Sequence, residues 1–160
     1  MRAILIISFL VFAQYSFGQT NTNERKVHFN IDKYGLALQG YDPVSYFEGK
    51  AQKGSSSIFF FYKGIRYEFI SQTHLEKFKA SPERFEPSYG GWCAYAMGAY
   101  GEKVEIDPSK FKIVEGKLYL FYYSFINNTL NKWNEDEKHL KIEADKNWIK
   151  INSKKWNTSN

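Results

Sequence analysis

A thiol, a thioether and an imidazole are the groups in this chain best suited to distinctive chemistry. Cys93 is the only cysteine in 160 residues, and Met97 follows it at the spacing that places two side chains on one helical face. Thiolate and thioether make a soft pair suited to Cu(I), and His74 supplies a third donor if its helix packs against this stretch. Two other readings stand beside that one. Cysteine behaves as a small buried hydrophobe and methionine fills gaps in cores, which makes the pair a packing feature. A nucleophilic thiol is the third reading and needs a base, for which His74 is again the candidate. His28 and His139 lie among polar and charged residues where an imidazole is solvated.

Around Cys93 the sequence Tyr89-Gly90-Gly91-Trp92-Cys93-Ala94-Tyr95-Ala96-Met97 combines a glycine pair, which lets backbone approach closely, with rings that can wall off a small site. Tyr41, Tyr67, Tyr89, Trp92 and Tyr95 are the candidates to line a ligand pocket. The competing role for these rings is core filling, because aromatics make up 19% of the chain. Asp42, Asp107 and Glu83 each sit beside a proline, where turn formation and capping account for an acid. There is no paired-carboxylate spacing, no serine nucleophile elbow and no His-x-x-x-His zinc pair, so an ordinary hydrolase is not indicated.

Composition sets the frame for these groups. The formal charge is +5, and removal of the first 18 residues deletes one cation, Arg2, leaving +4 (5 minus 1). Lysines of the C-terminal part alternate with Glu135, Asp136, Glu137, Glu143 and Asp145, a solvated helix surface rather than the one-signed stripe that nucleic acid requires. Met1 and Arg2, the apolar run Ala3 to Ala13 and the small residues at Ser16 and Gly18 read as a secretory signal cut before Gln19. The run is about half of the roughly 20 residues a membrane-spanning helix needs. The expectation is an exported protein, periplasmic or secreted, with no integral membrane segment once the signal is gone. A lone cysteine forms no internal disulfide, so a domain of this size relies on its core.

The elements that must position the site follow from pattern. Residues 19–34 are polar and read as a flexible lead-in, 35–150 as one domain, and 151–160 as a polar tail. Ile58 to Tyr62, the turn Lys63-Gly64 and Ile65 to Ile70 predict a β-hairpin, and Phe111 to Phe121 around Glu115-Gly116 predict a second. Ser71 caps a helix through Ala80, and Pro82 to Phe85 start another short turn. Phe125, Leu130 and Trp133, then Leu140, Ala144, Trp148 and Ile149, have helical spacing and predict one or two amphipathic helices covering the sheet. The fold class expected is α+β, a small antiparallel sheet of two hairpins with short helices and a C-terminal helical cover. No internal repeat is apparent.

Several of these stretches together resemble a known family. Gly40-Tyr41-Asp42-Pro43-Val44 with Tyr46-Phe47, Tyr67 and Phe69 with Ser71, Phe78 with Pro82-Glu83-Arg84-Phe85, Gly90 through Ala96, Ile106-Asp107-Pro108 and Gly116-Lys117-Leu118-Tyr119-Leu120 look like the exported bacterial YHS-domain proteins. The resemblance implies a kinship with modules in copper-transporting ATPases and other metal-handling proteins, whose two metal-binding cysteines correspond to Ile70 and His74 here. Ile70 offers no donor and His74 does. The combined expectation is an exported non-enzymatic domain binding a soft metal, copper being the candidate, through Cys93, Met97 and His74. The alternative is a module that uses its aromatic surface on a ligand or protein, with Cys93 structural.

Overall fold

The computed structural model describes residues 25–153. The chain is α+β, with two hairpins, short helices and a long C-terminal helix. Strands β1 (Ser55–Tyr62) and β2 (Ile65–Phe69) form the first hairpin, and β3 (Asp107–Val114) and β4 (Lys117–Phe121) the second, each an antiparallel two-stranded sheet. Both turn on a two-residue loop with left-handed backbone, Lys63-Gly64 and Glu115-Gly116, the geometry that matches strand twist. Between the hairpins lie α1 (Gln72–Ala80), α2 (Pro82–Phe85) and α3 (Ala94–Ala99). After them come the miniature hairpin β5 (Tyr123–Ser124) and β6 (Asn127–Asn128), then α4 (Thr129–Glu135) and α5 (Glu137–Ser153). Ser71 caps α1 by accepting the N–H of His74, as its position predicts.

Two expectations need correction. From Arg25 onward the lead-in is packed against the domain: 25–28 form a helical turn, the His28 carbonyl accepts Trp92 Nε1–H at 2.7 Å, and Asn30 N–H donates to Gly90 O at 2.9 Å. Phe125 is not on a helix face either. It stands at the tip of the β5–β6 hairpin, because Asn128 rather than an earlier residue caps the following helix. The signal reading falls on residues 1–18, outside the described residues, as does the tail beyond Ser153.

The chain also contains a repeat that its sequence hides. A run of left-handed backbone at Leu38-Gln39-Gly40 recurs at Tyr89-Gly90-Gly91. Two residues past each run, Asp42 N–H donates to Gln52 O and Cys93 N–H to Val104 O. The hairpins then match strand for strand, an eight-residue strand opposite a five-residue one, with the register shifting between the first and fifth residues of the longer strand. Leu36 bridges Arg66 in parallel, and Pro87 bridges Leu118 likewise. Finally, Phe78 of α1 packs on Tyr67 and Phe69, as Trp133 of α4 packs on Tyr119 and Phe121. The two halves share one plan. They differ by an insertion: four steps of chain lead from Ile70 to His74, seven from Tyr122 to Thr129, and the extra length makes β5 and β6.

The halves meet at β4. Leu118 and Leu120 face one core with Ile65, Tyr67, Phe69 and Phe78, while Tyr119 and Phe121 face the other with Met97, Trp133, Leu140 and Ala144. Alternation across a strand thus serves two cores instead of a core and solvent. The matching positions on β2 are Arg66 and Glu68, paired at 3.0 Å.

Candidate functional site

Cys93 and Met97 are both fully buried, and they contribute to different cores. The Tyr122 N–H donates to Cys93 Sγ at 3.3 Å, and Sγ lies 3.4 Å from Thr129 Oγ1. The Thr129 hydroxyl spends its proton on Tyr122 O at 2.7 Å, so the contact with sulfur is made by the thiol proton. The arrangement holds a protonated thiol, donor and acceptor both satisfied. Thiolate chemistry would have to break it.

His74 is occupied elsewhere. Its Nδ1 lies 2.7 Å from Asp42 Oδ2 and its Nε2 3.3 Å from Glu48 Oε2. Asp42 is fully buried and its carboxylate also accepts the N–H groups of Val44 at 2.8 Å and Ile70 at 2.9 Å. The proline-turn reading of Asp42 therefore covers half of its role: Oδ1 closes the turn, and Oδ2 ties that turn to β2 and α1. Glu48 is exposed, and Lys77 beside it holds its carboxyl below the usual range. The soft-metal set of Cys93, Met97 and His74 is thus not assembled, since each donor is committed to a different neighbourhood. Among the described residues no group of three or more His, Cys, Asp and Glu side chains is placed to hold a metal ion.

The internal repeat explains the pairing. Asp42 and Cys93 occupy the same place in their halves, each accepting the N–H of the first residue after a hairpin, Ile70 or Tyr122. His74 and Thr129 occupy the same place on their helices, one position before Leu75 and Leu130, and each bonds its half's acceptor. The first half ties hairpin to helix with an ionisable pair, the second with a thiol and a hydroxyl.

The aromatic candidates do not converge on one pocket. Tyr41 is half-buried with Lys53 5.9 Å from its ring. Trp92 is anchored to the His28 carbonyl, and Tyr95 packs edge-on against Tyr100. Tyr67 is a core residue whose hydroxyl donates to Glu86 Oε1 at 2.5 Å, and burial raises the phenol's pKa. Glu86 also pairs with Arg25, yet its own burial leaves its carboxyl above the usual range.

Tyr89 is different, because it borders a cleft of about 450 Å³. The cleft lies between the β3–β4 turn, the segment from α2 to Gly90, and α5, which contributes Asp145 and Trp148. The Tyr89 hydroxyl donates to Asp145 Oδ1 at 3.0 Å, and burial keeps the phenol well above its ordinary pKa. Trp148 stacks edge-on against Phe29 at 6.2 Å and Tyr89 at 6.5 Å. Gly90 makes this closure possible: a Cβ there would stand 2.8 Å from the Trp148 ring and 3.1 Å from Phe29 Cα. Tyr89 itself carries φ +54°, a left-handed conformation that a bulky side chain adopts only under constraint. Arg84 and Lys117 bring two cations to the lining, and Glu83, Glu86, Glu115 and Asp145 bring four carboxylates. The glycine pair marked this neighbourhood in the sequence. Asp145 and Trp148 carried no such mark, standing among the alternating charges of a helix.

No family model matches the chain, and no curated protein or solved structure matches it.

Proposed function

We propose that the protein is an exported binding module that holds a small ring-bearing molecule in the cleft beside Tyr89, with Cys93 structural. The observation that carries this reading is Tyr89 itself, a strained residue that borders a cleft of ligand size and hydrogen-bonds Asp145 of the same lining. Phe29, Tyr89 and Trp148 offer ring faces and edges for stacking. The neutral phenol and Asp145 fix the orientation of polar substituents, and the four carboxylates Glu83, Glu86, Glu115 and Asp145, which outnumber Arg84 and Lys117, suit a ligand that carries hydrogen-bond donors. Export rests on the signal pattern of residues 1–18.

Ligand-observed NMR with a library of ring-bearing fragments tests the proposal. Fragments with polar substituents are expected to bind the parent and to be lost in Trp148→Leu, with Tyr89→Phe weakening those that hydrogen-bond. Absence of hits, or hits unchanged in both variants, would sink it.

A further inference from the structure

We propose that the β5–β6 hairpin is a wedge that inserts Phe125 and Ile126 into the surface of an anionic lipid bilayer. The first support is the internal repeat. The first half joins hairpin to helix directly from Ile70 to His74, so the frame closes without any insertion. The second half adds chain at this point, and the tip of the added segment is apolar: Phe125 is 98% exposed and Ile126 92%. Isolated exposed hydrophobes are ordinary on protein surfaces. Two adjacent side chains at the apex of a projection, neither in contact with the core, are a different feature.

Shape and backbone chemistry favour lipid. Tyr123 pairs with Asn128 and Ser124 with Asn127, so the stem carries its own ladder and brings few unpaired backbone groups to an apolar phase. Tyr123 is 41% exposed at the foot of the stem, the level at which a tyrosine ring meets headgroups. Charge is complementary as well. Lys110 Nζ lies 4.4 Å from the centre of the Tyr123 ring, and from Lys117 through Asn134 the chain has no acidic residue. The acid opposite Phe121 is Asp107, and its Oδ1 accepts the N–H and O–H of Ser109. A lysine at the foot of an apolar tip, with no acid in the segment that carries the tip, suits a surface anchor on anionic membranes. No helix among the described residues is long and apolar enough to cross a membrane, so the contact is peripheral. The wedge and the cleft also lie at opposite ends of β4: Lys117 borders the cleft and Phe121 leads into β5, about 13 Å away along the strand. Docking would leave the cleft open to solvent.

The experiment uses the chain from Gln19 on, which retains every described residue and lacks the apolar leader that would bind lipid by itself. Co-sedimentation with vesicles of phosphatidylcholine and phosphatidylglycerol is expected to show binding that exceeds binding to pure phosphatidylcholine and falls with added salt. Phe125→Ser/Ile126→Ser should bind at least about tenfold more weakly, since two large side chains lose their apolar environment. Lys110→Ala should reduce binding to the mixed vesicles alone. The thermal transition of the double variant is expected to match the parent, because both side chains are already in water. The proposal is overturned if the parent ignores both vesicle types, if the double variant binds as well as the parent, or if light scattering finds a dimer that the double variant dissolves with no lipid binding in the parent.

Discussion

At Cys93 the decisive quantity is the direction of one proton. Thr129 gives its hydroxyl proton to Tyr122 O, which obliges the thiol to donate to Thr129 Oγ1 and lets sulfur accept the Tyr122 N–H. A buried donor and acceptor left without partners cost about 1–3 kcal/mol, so Cys93→Ala should lose about 2 kcal/mol in urea unfolding. Cys93→Ser is not a rescue. The sulfur contacts of 3.3 and 3.4 Å suit a large atom and are too long for good oxygen hydrogen bonds. The thiol should be inert to Ellman's reagent in the folded protein and react once it unfolds. Rapid reaction of the native thiol would reinstate the reactive reading.

At the scale of elements, the two hairpins and the α1 cap were legible because each is written in local chemistry. A lysine-glycine or glutamate-glycine pair between β-favouring runs, and a serine before a helical pattern, need no distant partner. The Asp42–His74 tie was not legible, since the two are 32 residues apart and Asp42 has a sufficient local reason to precede a proline. Phe125 reads as part of the following helix because Trp133 stands eight positions on, close to two helical turns. The repeat is invisible in the sequence because its matching positions keep geometry rather than identity: Asp42 against Cys93, His74 against Thr129, Arg66 against Leu118. Turn geometry also separates two glycines that look alike. Gly116 has φ +72° with open space around it, and Gly90 has φ +62° with Trp148 and Phe29 against it. Gly116→Ala should cost about 1 kcal/mol from backbone strain alone. Gly90→Ala adds a steric term, should cost at least about 2 kcal/mol and should shift Trp148 fluorescence as the ring is pushed off Phe29 and Tyr89. Equal losses at the two positions would refute the close packing assigned to Gly90.

At the scale of the molecule, the question is whether two halves built on one plan behave as two units. Each has its own aromatic nucleus, Phe78 on Tyr67 and Phe69 or Trp133 on Tyr119 and Phe121. Independence would follow if each nucleus closed on its own hairpin alone. It does not, because β4 presents Leu118 and Leu120 to the first core and Tyr119 and Phe121 to the second, and α3 divides likewise, Ala96 to one and Met97 to the other. Loss of either core strips one face of β4 and leaves its apolar residues in water. Phe78→Ala and Trp133→Ala should therefore each cost about 3–5 kcal/mol and lower a single shared transition, seen at the same midpoint by far-ultraviolet circular dichroism and by tryptophan fluorescence. Separate transitions, with Trp133→Ala moving only one, would mean that β4 is a seam between domains. Coincident transitions would mean that it is the strand on which both halves fold.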